Sequence, residues 1–349
     1  MKRLLILTSD YPPNIGGIAV DTMRLFRLLK KKYSVDLYAF GIRGENRDDS
    51  YFLKTSKILF PIHLRKIISR DRYDAILVRT VLPLGWMLNF MKIQSKKIYF
   101  AYGQELLHDI NSKPLFRPEV KSILGGADTI VVNSDFTNSL IEKRGRVYYP
   151  LIDDVGSSIK KESSKFKIIM VGRFVPHKNF ISVIRMIREI NESVSKITGR
   201  SVELEVIGEG IMKSEYEDYI SRTKLSEIVK IRGKMNVESM NEIYSSADVI
   251  VMPSVKTNEN VEGFGMVAQE AGLCGAVCAG YDSGGISESI EDRELLAEEN
   301  DEKGLMDIIV KLLANKEFCE EKRLFSMNRA KKYISSAKRL EEFETILDV

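Results

Sequence analysis

Short apolar runs recur along the chain and alternate with longer segments that can form helices. Each run is continuously apolar, which is typical of strands buried on both faces of a parallel sheet. The runs are Leu4 to Leu7, Val35 to Phe40, Ala75 to Val78, Lys97 to Ala101, Thr129 to Val132, Lys167 to Val171, Leu204 to Ile207, Val229 to Ile231, Val249 to Met252 and Ala276 to Ala279. This alternation predicts an α/β fold with two doubly wound, Rossmann-like domains that face a cleft.

A polar segment over residues 151–165, with several serines and a glycine, separates the two sets of strands and predicts a linker. We therefore expect one Rossmann-like domain over residues 1–150 and a second over residues 166–330. Residues 331–349 are charged and carry apolar side chains at helical spacing, so they predict a packed terminal helix.

Composition and charge exclude several classes of protein. The 349 residues include 53 basic and 49 acidic side chains, a balance that argues against a dedicated nucleic-acid binder. Three cysteines show neither zinc spacing nor a disulfide framework, which favours a reducing, cytoplasmic compartment. The apolar run at the N-terminus is too short for a signal peptide or a membrane span, and we interpret it as the first strand.

The basic residues form two clusters in the first domain. The first lies on a helix predicted over residues 21–32, and the second follows it along the chain. The members are Arg24, Arg27, Lys30, Lys31 and Lys32, then Arg65, Lys66, Arg70 and Arg72. Solvated helix faces explain them most simply. The alternative is peripheral contact with anionic lipid at the inner face of the cell membrane.

Two glutamates separated by seven residues, Glu262 and Glu270, flank a glycine turn that follows a strand and precedes a helix. The glycines allow backbone N–H groups to approach a ligand closely. A helix N-terminus favours an anion, because its first N–H groups are unpaired. One carboxylate can then lie on each side of a bound phosphate, an arrangement that suits a nucleotide-sugar enzyme.

The second domain opens with a strand that delivers Arg173, and Lys178 follows five residues later. A guanidinium and an ammonium group can neutralise a diphosphate leaving group without a metal ion. Two surface cations after a strand are the alternative. The glycine turn over residues 263–267 in the same domain favours the functional interpretation.

Four further glycine turns leave predicted strand ends. They are Gly16 and Gly17, the turn at Gly208 within residues 207–210, residues 230–235 and residues 282–288. Each one is open to two interpretations, as a wall of a ligand site or as a plain turn. The first turn lacks the three-glycine dinucleotide fingerprint, which argues against an NAD enzyme.

Tyr102, Glu105 and His108 follow another strand end and are candidates for a sugar or acceptor subsite. A lone histidine is more often structural than catalytic. The three histidines of the chain are scattered and no Asp-x-Asp motif is present, so a metal-dependent transfer site is poorly supported.

In this order, the motifs resemble those of the retaining, metal-independent glycosyltransferases of family four, which have the GT-B architecture. The resemblance extends over nearly the whole chain. The matching pieces are residues 12–17, residues 171–173 with Lys178, residues 207–210, the Glu262 to Glu270 motif with Cys274-Gly275, and residues 282–286. The Glu262 to Glu270 motif is the most specific of them.

The resemblance implies a hexosyltransferase of polysaccharide or glycolipid biosynthesis. It would move a sugar from a nucleotide diphosphate sugar to a glycan or lipid-linked acceptor, with no cofactor and no metal ion. The N-terminal domain would bind the acceptor and the C-terminal domain the donor. The last helix would cross back onto the N-terminal domain.

The resemblance also implies roles for individual residues. Arg173 and Lys178 would stabilise the departing diphosphate, while Glu262 would hold hydroxyls of the donor sugar. Backbone N–H groups from Gly265 to Val267 would bind the phosphates, and Glu270 would bind the ribose. The implied donor-binding set is Gly16, Gly17, Gly208, Gly263, Phe264, Gly265, Met266, Val267 and Glu270.

One departure from the family pattern concerns the sugar subsite. Many members carry a histidine where this chain has Tyr102, so either Tyr102 replaces that histidine or His108 reaches in. Two other functions stay open: a sugar-nucleotide epimerase of the same architecture, and a non-catalytic sugar-nucleotide-binding subunit. Intact Arg173, Lys178, Glu262 and Glu270 argue against the non-catalytic subunit.

Overall fold

The computed structural model of the chain describes residues 1–14, 16–41, 50–53, 60–70, 72–111, 120–154, 163–235 and 237–348. The chain forms two compact units. Unit 1 comprises Met1–Asp153 with Ile334–Val349, and unit 2 comprises Asp154–Tyr333.

Unit 1 contains a seven-stranded parallel sheet with the strand order β3-β2-β1-β4-β5-β6-β7. One apolar cluster covers each face of this sheet. A π-helical turn over Val81–Gly85 precedes α3. The elements are β1 Arg3–Thr8, α1 Gly17–Leu29, β2 Ser34–Phe40, β3 Ser50–Leu53, α2 Phe60–Arg70, β4 Ala75–Val78, α3 Trp86–Asn89, β5 Lys96–Ala101, α4 Gln104–Asn111, α5 Val120–Leu124, β6 Thr129–Val132, α6 Asp135–Ser139 and β7 Arg146–Val147.

Unit 2 contains a six-stranded parallel sheet with the order β10-β9-β8-β11-β12-β13 around a single apolar core. Its elements are β8 Phe166–Val171, α7 Phe180–Thr198, β9 Val202–Ile207, α8 Lys213–Arg222, β10 Val229–Arg232, α9 Val237–Ser246, β11 Val249–Met252, α10 Met266–Leu273, β12 Val277–Asp282, α11 Ile286–Ile290, β13 Leu296–Glu298, α12 Glu302–Ala314 and α13 Lys316–Ala330. Single 3₁₀ turns cover Pro176–Lys178, Arg293–Leu295 and Lys331–Tyr333.

The last helix, α14 Ala337–Leu347, packs on the sheet of unit 1. Its apolar side chains, among them Phe343 and Leu347, lie in the same cluster as the buried residues of β1, β2 and α1. The Phe343 ring stacks on Phe100 of β5 with 6.3 Å between ring centroids. The chain therefore ends on the unit in which it begins.

The strand order reverses once in each sheet, between β1 and β4 in unit 1 and between β8 and β11 in unit 2. Connections from the two central strands leave in opposite directions at such a point, so ligands bind beyond the carboxyl ends of those strands. The predicted α/β fold with two doubly wound parallel sheets is confirmed.

The element boundaries differ from the predictions in three places. The predicted linker over 151–165 begins inside unit 1, because Leu151 and Ile152 are buried there. Residues 155–162 of that segment lie outside the described residues. The helix predicted over 21–32 instead spans Gly17–Leu29. Three short strands, β3, β7 and β13, were not predicted.

Candidate active site

The point of strand reversal in unit 2 brings a lysine and a glutamate together. Lys178 ends the 3₁₀ turn after β8, and Glu262 lies in the loop between β11 and α10. Lys178 Nζ forms an ion pair with Glu262 Oε2, and the two side chains are 14% and 18% exposed. Two residues predicted to be catalytic, 84 positions apart in the chain, thus share one half-buried ion pair.

The electrostatic environment keeps Glu262 ionised. Burial alone would raise its pKa, but the charge and hydrogen bond of Lys178, followed by His177 and Arg173, outweigh burial and lower the pKa below the ordinary value. The structure thus brings Lys178 and Glu262 together, while the catalytic role of Arg173 stays a prediction.

His177 is an uncharged neighbour of this ion pair. Its side chain is 6% exposed. Burial, then the nearby positive charge of Lys178, lowers the pKa of His177 to about 4, so the imidazole is neutral at physiological pH. Its carbonyl accepts a hydrogen bond from Val255 N at 2.8 Å, which joins the turn after β8 to the loop after β11. In the sequence, only the position of His177 directly before Lys178 indicated that it lies beside the ion pair.

The buried His177 predicts a loss of stability in mild acid. A histidine with a lowered pKa in the folded state contributes stability above its ordinary pKa of about 6.5, and this contribution is lost as the pH falls towards about 4. We expect wild type to lose about 1–2 kcal/mol more than His177→Gln between pH 7.5 and pH 5. Calorimetric melting at both pH values measures this difference. An equal change in the free energy of unfolding for the two proteins would contradict it.

Arg173 is exposed directly after β8, on a loop that packs against the loop after β9. Phe174 N donates to Glu209 O at 2.8 Å. A Cβ atom on Gly208 would lie 1.9 Å from Gly172 O, so the close approach of the two loops requires glycine at this position. Gly208 thus holds the Arg173 loop in place, while its direct contact with a donor stays a prediction.

The loop that carries Glu262 is seated on the turn after β12. Gly285 N donates to Glu262 O at 2.8 Å. A Cβ atom on Gly285 would lie 2.2 Å from Gly263 O. The sequence left the glycines of residues 282–288 as a phosphate wall or a plain turn. That choice is not decided by the packing of Gly285, whose missing side chain lets the backbone of the Glu262 loop lie directly against it.

The N-terminus of α10 presents an anion site beside Glu262. Gly265, with φ 94°, is the residue before the first turn. Within the described part of the chain, the N–H groups of Gly265, Met266 and Val267 donate to no acceptor. Such N–H groups attract a negative charge. Phe264 is 2% exposed and packs on Tyr333 with 5.5 Å between ring centroids, so its side chain anchors the loop in the interior of unit 2.

Glu270 lies in α10 and is half-buried. It accepts a hydrogen bond from the hydroxyl group of Tyr244 at 3.3 Å. Burial, and then the charge of Glu270, raises the pKa of Tyr244 well above its ordinary value, so the phenol stays protonated and donates to the carboxylate. Tyr244 orients Glu270 and was not predicted, because nothing local in the sequence connects α9 with α10.

The predicted glycine loop of unit 1 forms the start of α1. Gly16 precedes the helix and Gly17 is its first residue, while Ile15 lies outside the described residues. Val20 N donates to Gly16 O at 3.0 Å, the first bond of the helix. Both glycines therefore lie beyond the carboxyl end of β1, and the proposed donor contact for them stays a prediction.

The second candidate group of unit 1 follows β5. Glu105 Oε1 accepts a hydrogen bond from Tyr102 N at 2.7 Å, so Glu105 supports the first turn of α4. The Tyr102 hydroxyl group is buried and has no hydrogen-bond partner among the described residues. Burial raises the pKa of Tyr102 well above its ordinary value. His108 lies on α4, and its side chain is outside the described residues.

A buried arginine that was not predicted lies beside Tyr102. Arg79 follows β4, is 1% exposed and forms an ion pair with Asp21 of α1. Its guanidinium lies 4.2 Å from the ring centroid of Phe100 and 5.3 Å from that of Tyr102. Asp21 Oδ1 also accepts from Leu151 N at 2.8 Å. This group fixes the position of the Tyr102 ring.

The family model described as glycosyl transferases group 1 matches residues 154–332, just over half of the chain. The chain belongs to this family. The matched residues lie within unit 2 and contain the Lys178–Glu262 pair and α10.

Curated relatives of this glycosyltransferase match over most of the chain. An uncharacterized glycosyltransferase of Methanocaldococcus jannaschii is 25% identical over 338 residues, which cover 83% of each protein. A GDP-mannose-dependent monoacylated alpha-(1-6)-phosphatidylinositol monomannoside mannosyltransferase of Corynebacterium glutamicum is 24% identical over 352 residues, 89% of each.

Solved structures show that the glycosyltransferase has the GT-B fold. Sucrose-phosphate synthase from Thermosynechococcus elongatus matches with a TM-score of 0.80 and 17% identity, covering 99% of this chain and 98% of that one. HepE of Anabaena, in complex with UDP and glucose, matches with a TM-score of 0.76 and 16% identity over 100% of both chains.

The described residues hold no group of three or more His, Cys, Asp or Glu side chains that could bind a metal ion. In the part of the chain that the structure describes, no helix is both long and apolar enough to cross a membrane.

The prediction that the first basic cluster faces solvent or lipid was wrong for Arg24. This side chain is 5% exposed, with Nε 2.9 Å from Asp153 Oδ2 and Nη1 3.0 Å from Leu151 O. Lys32 is paired with Glu344 at 2.5 Å. The helical pattern could not reveal these partners, because both come from distant parts of the chain. Arg27, Lys30, Lys31, Arg65, Lys66 and Arg72 are exposed, and the Arg70 side chain is outside the described residues.

Proposed function

We propose that this glycosyltransferase is a retaining, metal-independent hexosyltransferase that uses a nucleotide diphosphate sugar. One observation carries the proposal: the Lys178–Glu262 ion pair lies beside the α10 N-terminus, whose N–H groups are free to bind phosphate. A cation and backbone N–H groups together can neutralise a diphosphate without a metal ion.

The proposed roles follow from the charges of the site. Lys178 and Arg173 bind the donor diphosphate, and N–H groups from Gly265 to Val267 bind its oxygens. Glu262 stays ionised beside Lys178 and accepts hydrogen bonds from hydroxyl groups of the sugar. Glu270, oriented by Tyr244, accepts hydrogen bonds from the ribose.

The proposed reaction forms and breaks its bonds on the same face of the sugar. The acceptor hydroxyl oxygen attacks the anomeric carbon as the bond from that carbon to the β-phosphate oxygen breaks, and the acceptor proton passes to this leaving oxygen. With Glu270 assigned to the ribose, no carboxylate serves as a covalent nucleophile. Because the new bond forms on the same face from which the old bond breaks, the configuration at the anomeric carbon is retained.

For the acceptor, we propose a glycan or a lipid-linked glycan that binds to unit 1 near Tyr102. The named activity of the Corynebacterium glutamicum relative on a phosphatidylinositol monomannoside supports a lipid-linked acceptor. Exposed Arg27, Lys30 and Lys31 support peripheral contact with an anionic membrane surface. The buried free cysteines Cys274 and Cys278 fit the reducing cytoplasmic side of that membrane.

Binding of nucleotide diphosphates to the metal-free protein tests the proposal. We expect at least one of UDP, GDP and ADP to raise the melting temperature in excess EDTA, because Lys178, Arg173 and α10 supply all the positive charge that the diphosphate needs. Hydrolysis or transfer of the matching donor sugar should proceed equally with EDTA and with added Mg²⁺. Binding that appears only with Mg²⁺ would contradict metal independence, and binding of none of the three would contradict the donor class.

A further inference from the structure

A buried arginine, Arg329 of α13, supports the helix whose N-terminus forms the phosphate site. Its side chain is 2% exposed. Nε donates to Gln269 Oε1 at 3.2 Å, Nη2 donates to Ala268 O at 3.1 Å, and Nη1 donates to Ile290 O. One guanidinium therefore fastens the first turns of α10 to the end of α11.

All three acceptors of this guanidinium are neutral. Among the described residues, no ion pair includes Arg329. Burial lowers the pKa of Arg329, and the charges of Glu291 and Asp292, which lie beyond ion-pair distance, offset this only in part; an arginine still keeps its proton throughout the physiological range. A buried charge with no carboxylate in direct contact is costly, and a bound anion nearby would stabilise it further.

The buried charge lies beside the phosphate site. Ala268, whose carbonyl accepts from Arg329, donates its own N–H to Gly265 O at 3.1 Å. The guanidinium therefore contacts the same turn of α10 that exposes the N–H groups of Gly265, Met266 and Val267. Arg329, Ala268 and Gln269 are each at most 2% exposed, so solvent screens the field of the guanidinium weakly here.

We propose that Arg329 is a positioning residue for the donor diphosphate, fixing the first turn of α10 and holding a permanent positive charge behind it, with the bound diphosphate as the counter-charge. The inference rests on the proposed nucleotide diphosphate donor. Arg173 and Lys178 contact the diphosphate in the proposed site. Arg329 would be a third positive charge, one that does not contact the ligand.

Two substitutions of Gln269 separate charge from structure. Gln269 is fully buried, and its Nε2 donates to Ser289 O at 2.7 Å. Gln269→Glu and Gln269→Leu both remove this hydrogen bond. Gln269→Glu keeps an acceptor for Arg329 Nε and places a carboxylate against the guanidinium, whereas Gln269→Leu also loses that acceptor and adds no charge. Weaker diphosphate binding by Gln269→Glu, which keeps the contact with Arg329, than by Gln269→Leu, which loses it, therefore reports the added charge.

The experiment is calorimetric titration of the full-length protein. The probes are whichever of UDP, GDP and ADP wild type binds most tightly, together with the corresponding nucleoside. We expect Gln269→Glu to bind the diphosphate about tenfold more weakly than Gln269→Leu. Both variants should bind the nucleoside equally, because the nucleoside carries no charge.

Equal diphosphate affinity for the two Gln269 variants would overturn the role of Arg329 and leave the proposed donor class intact. Failure of wild type to bind any of the three diphosphates would overturn the donor class and the inference together. Arg329→Met gives a second measurement if Gln269→Glu does not fold. It removes both the charge and the fork of donors, so it should bind the diphosphate at least about tenfold more weakly than wild type and the nucleoside within about twofold. An equal change for the two probes would contradict the role of Arg329 in diphosphate binding.

Discussion

Replacing Lys178 with methionine is expected to lower kcat/KM for sugar transfer by about 100- to 1,000-fold, the usual effect of removing one preorganised stabiliser of transition-state charge. The same change leaves Glu262 half-buried without its partner, which should cost about 3 kcal/mol of folding free energy at neutral pH. Steady-state kinetics with the donor found in the binding panel, together with calorimetric melting, measures both losses.

A second substitution separates the two effects of Lys178. Glu262→Gln added to Lys178→Met removes the unpaired charge, so the double variant should regain most of the lost stability. Its transfer activity should stay at or below that of Lys178→Met, because both proposed contacts to the donor are gone. Recovery of activity together with stability would show that the pair serves only the fold.

The stability loss of Lys178→Met also has an expected pH dependence. In wild type, the lowered pKa of Glu262 contributes stability that is present above the ordinary carboxyl pKa and is lost as the pH falls through the folded-state value. Without Lys178, burial instead raises the pKa of Glu262, so the deficit of the variant should shrink as the pH falls towards about 4. Lys311→Met is the matched control. Its pair with Glu294 is about half exposed on both sides, and Glu294 keeps its second partner Lys322, so the substitution should change stability far less than Lys178→Met does.

The sequence predicted the central strands well and the edge strands poorly. All ten predicted strands are present, and the three that were missed, β3, β7 and β13, lie at the ends of the two sheets. A central strand is covered on both faces and must be apolar throughout, so its sequence is informative. An edge strand such as β7, which spans only Arg146–Val147, carries no comparable pattern.

The candidate site was predictable to the extent that it is local in sequence. Glu262, Glu270 and the α10 N-terminus lie within one short segment, and Lys178 follows a predicted strand. The reversal of strand order between β8 and β11 then brings Lys178 to Glu262. Strand order explains this proximity, and residue patterns do not.

The residues that hold the site in place were not predictable in this way. Tyr244 and Arg329 act on α10 from other helices, 26 and 61 residues away from their partners Glu270 and Ala268. Arg24 shows the opposite failure, since a basic residue on an amphipathic helix was expected to be exposed and is buried against Asp153. In each case a partner that is distant in sequence determines the role of the side chain, and the local pattern of apolar and polar residues does not predict that partner.

Substituting alanine for Gly285 is expected to displace the Glu262 loop. The new Cβ would lie 2.2 Å from Gly263 O and 2.7 Å from the Phe264 Cα, and both of these are backbone atoms that cannot rotate away. The loop must therefore move as a unit and carry Glu262 away from Lys178. We expect a loss of about 2–3 kcal/mol of folding free energy, the usual cost of overpacking, and at least a 100-fold loss of kcat for transfer, since catalytic groups must keep their positions closely.

Gly199→Ala is the matched control, because it separates displacement of the loop from the general cost of replacing a glycine. Gly199 ends α7 with φ 72°, and a Cβ there would meet no atom within 4 Å. The substitution should cost about 1 kcal/mol through backbone strain alone and leave kcat unchanged. If Gly285→Ala lowers the melting temperature but transfers sugar at the wild-type rate, the loop does not need its seat on Gly285 to place Glu262. If kcat falls at least about 100-fold while Gly199→Ala stays active, the turn after β12 is needed to position the catalytic carboxylate.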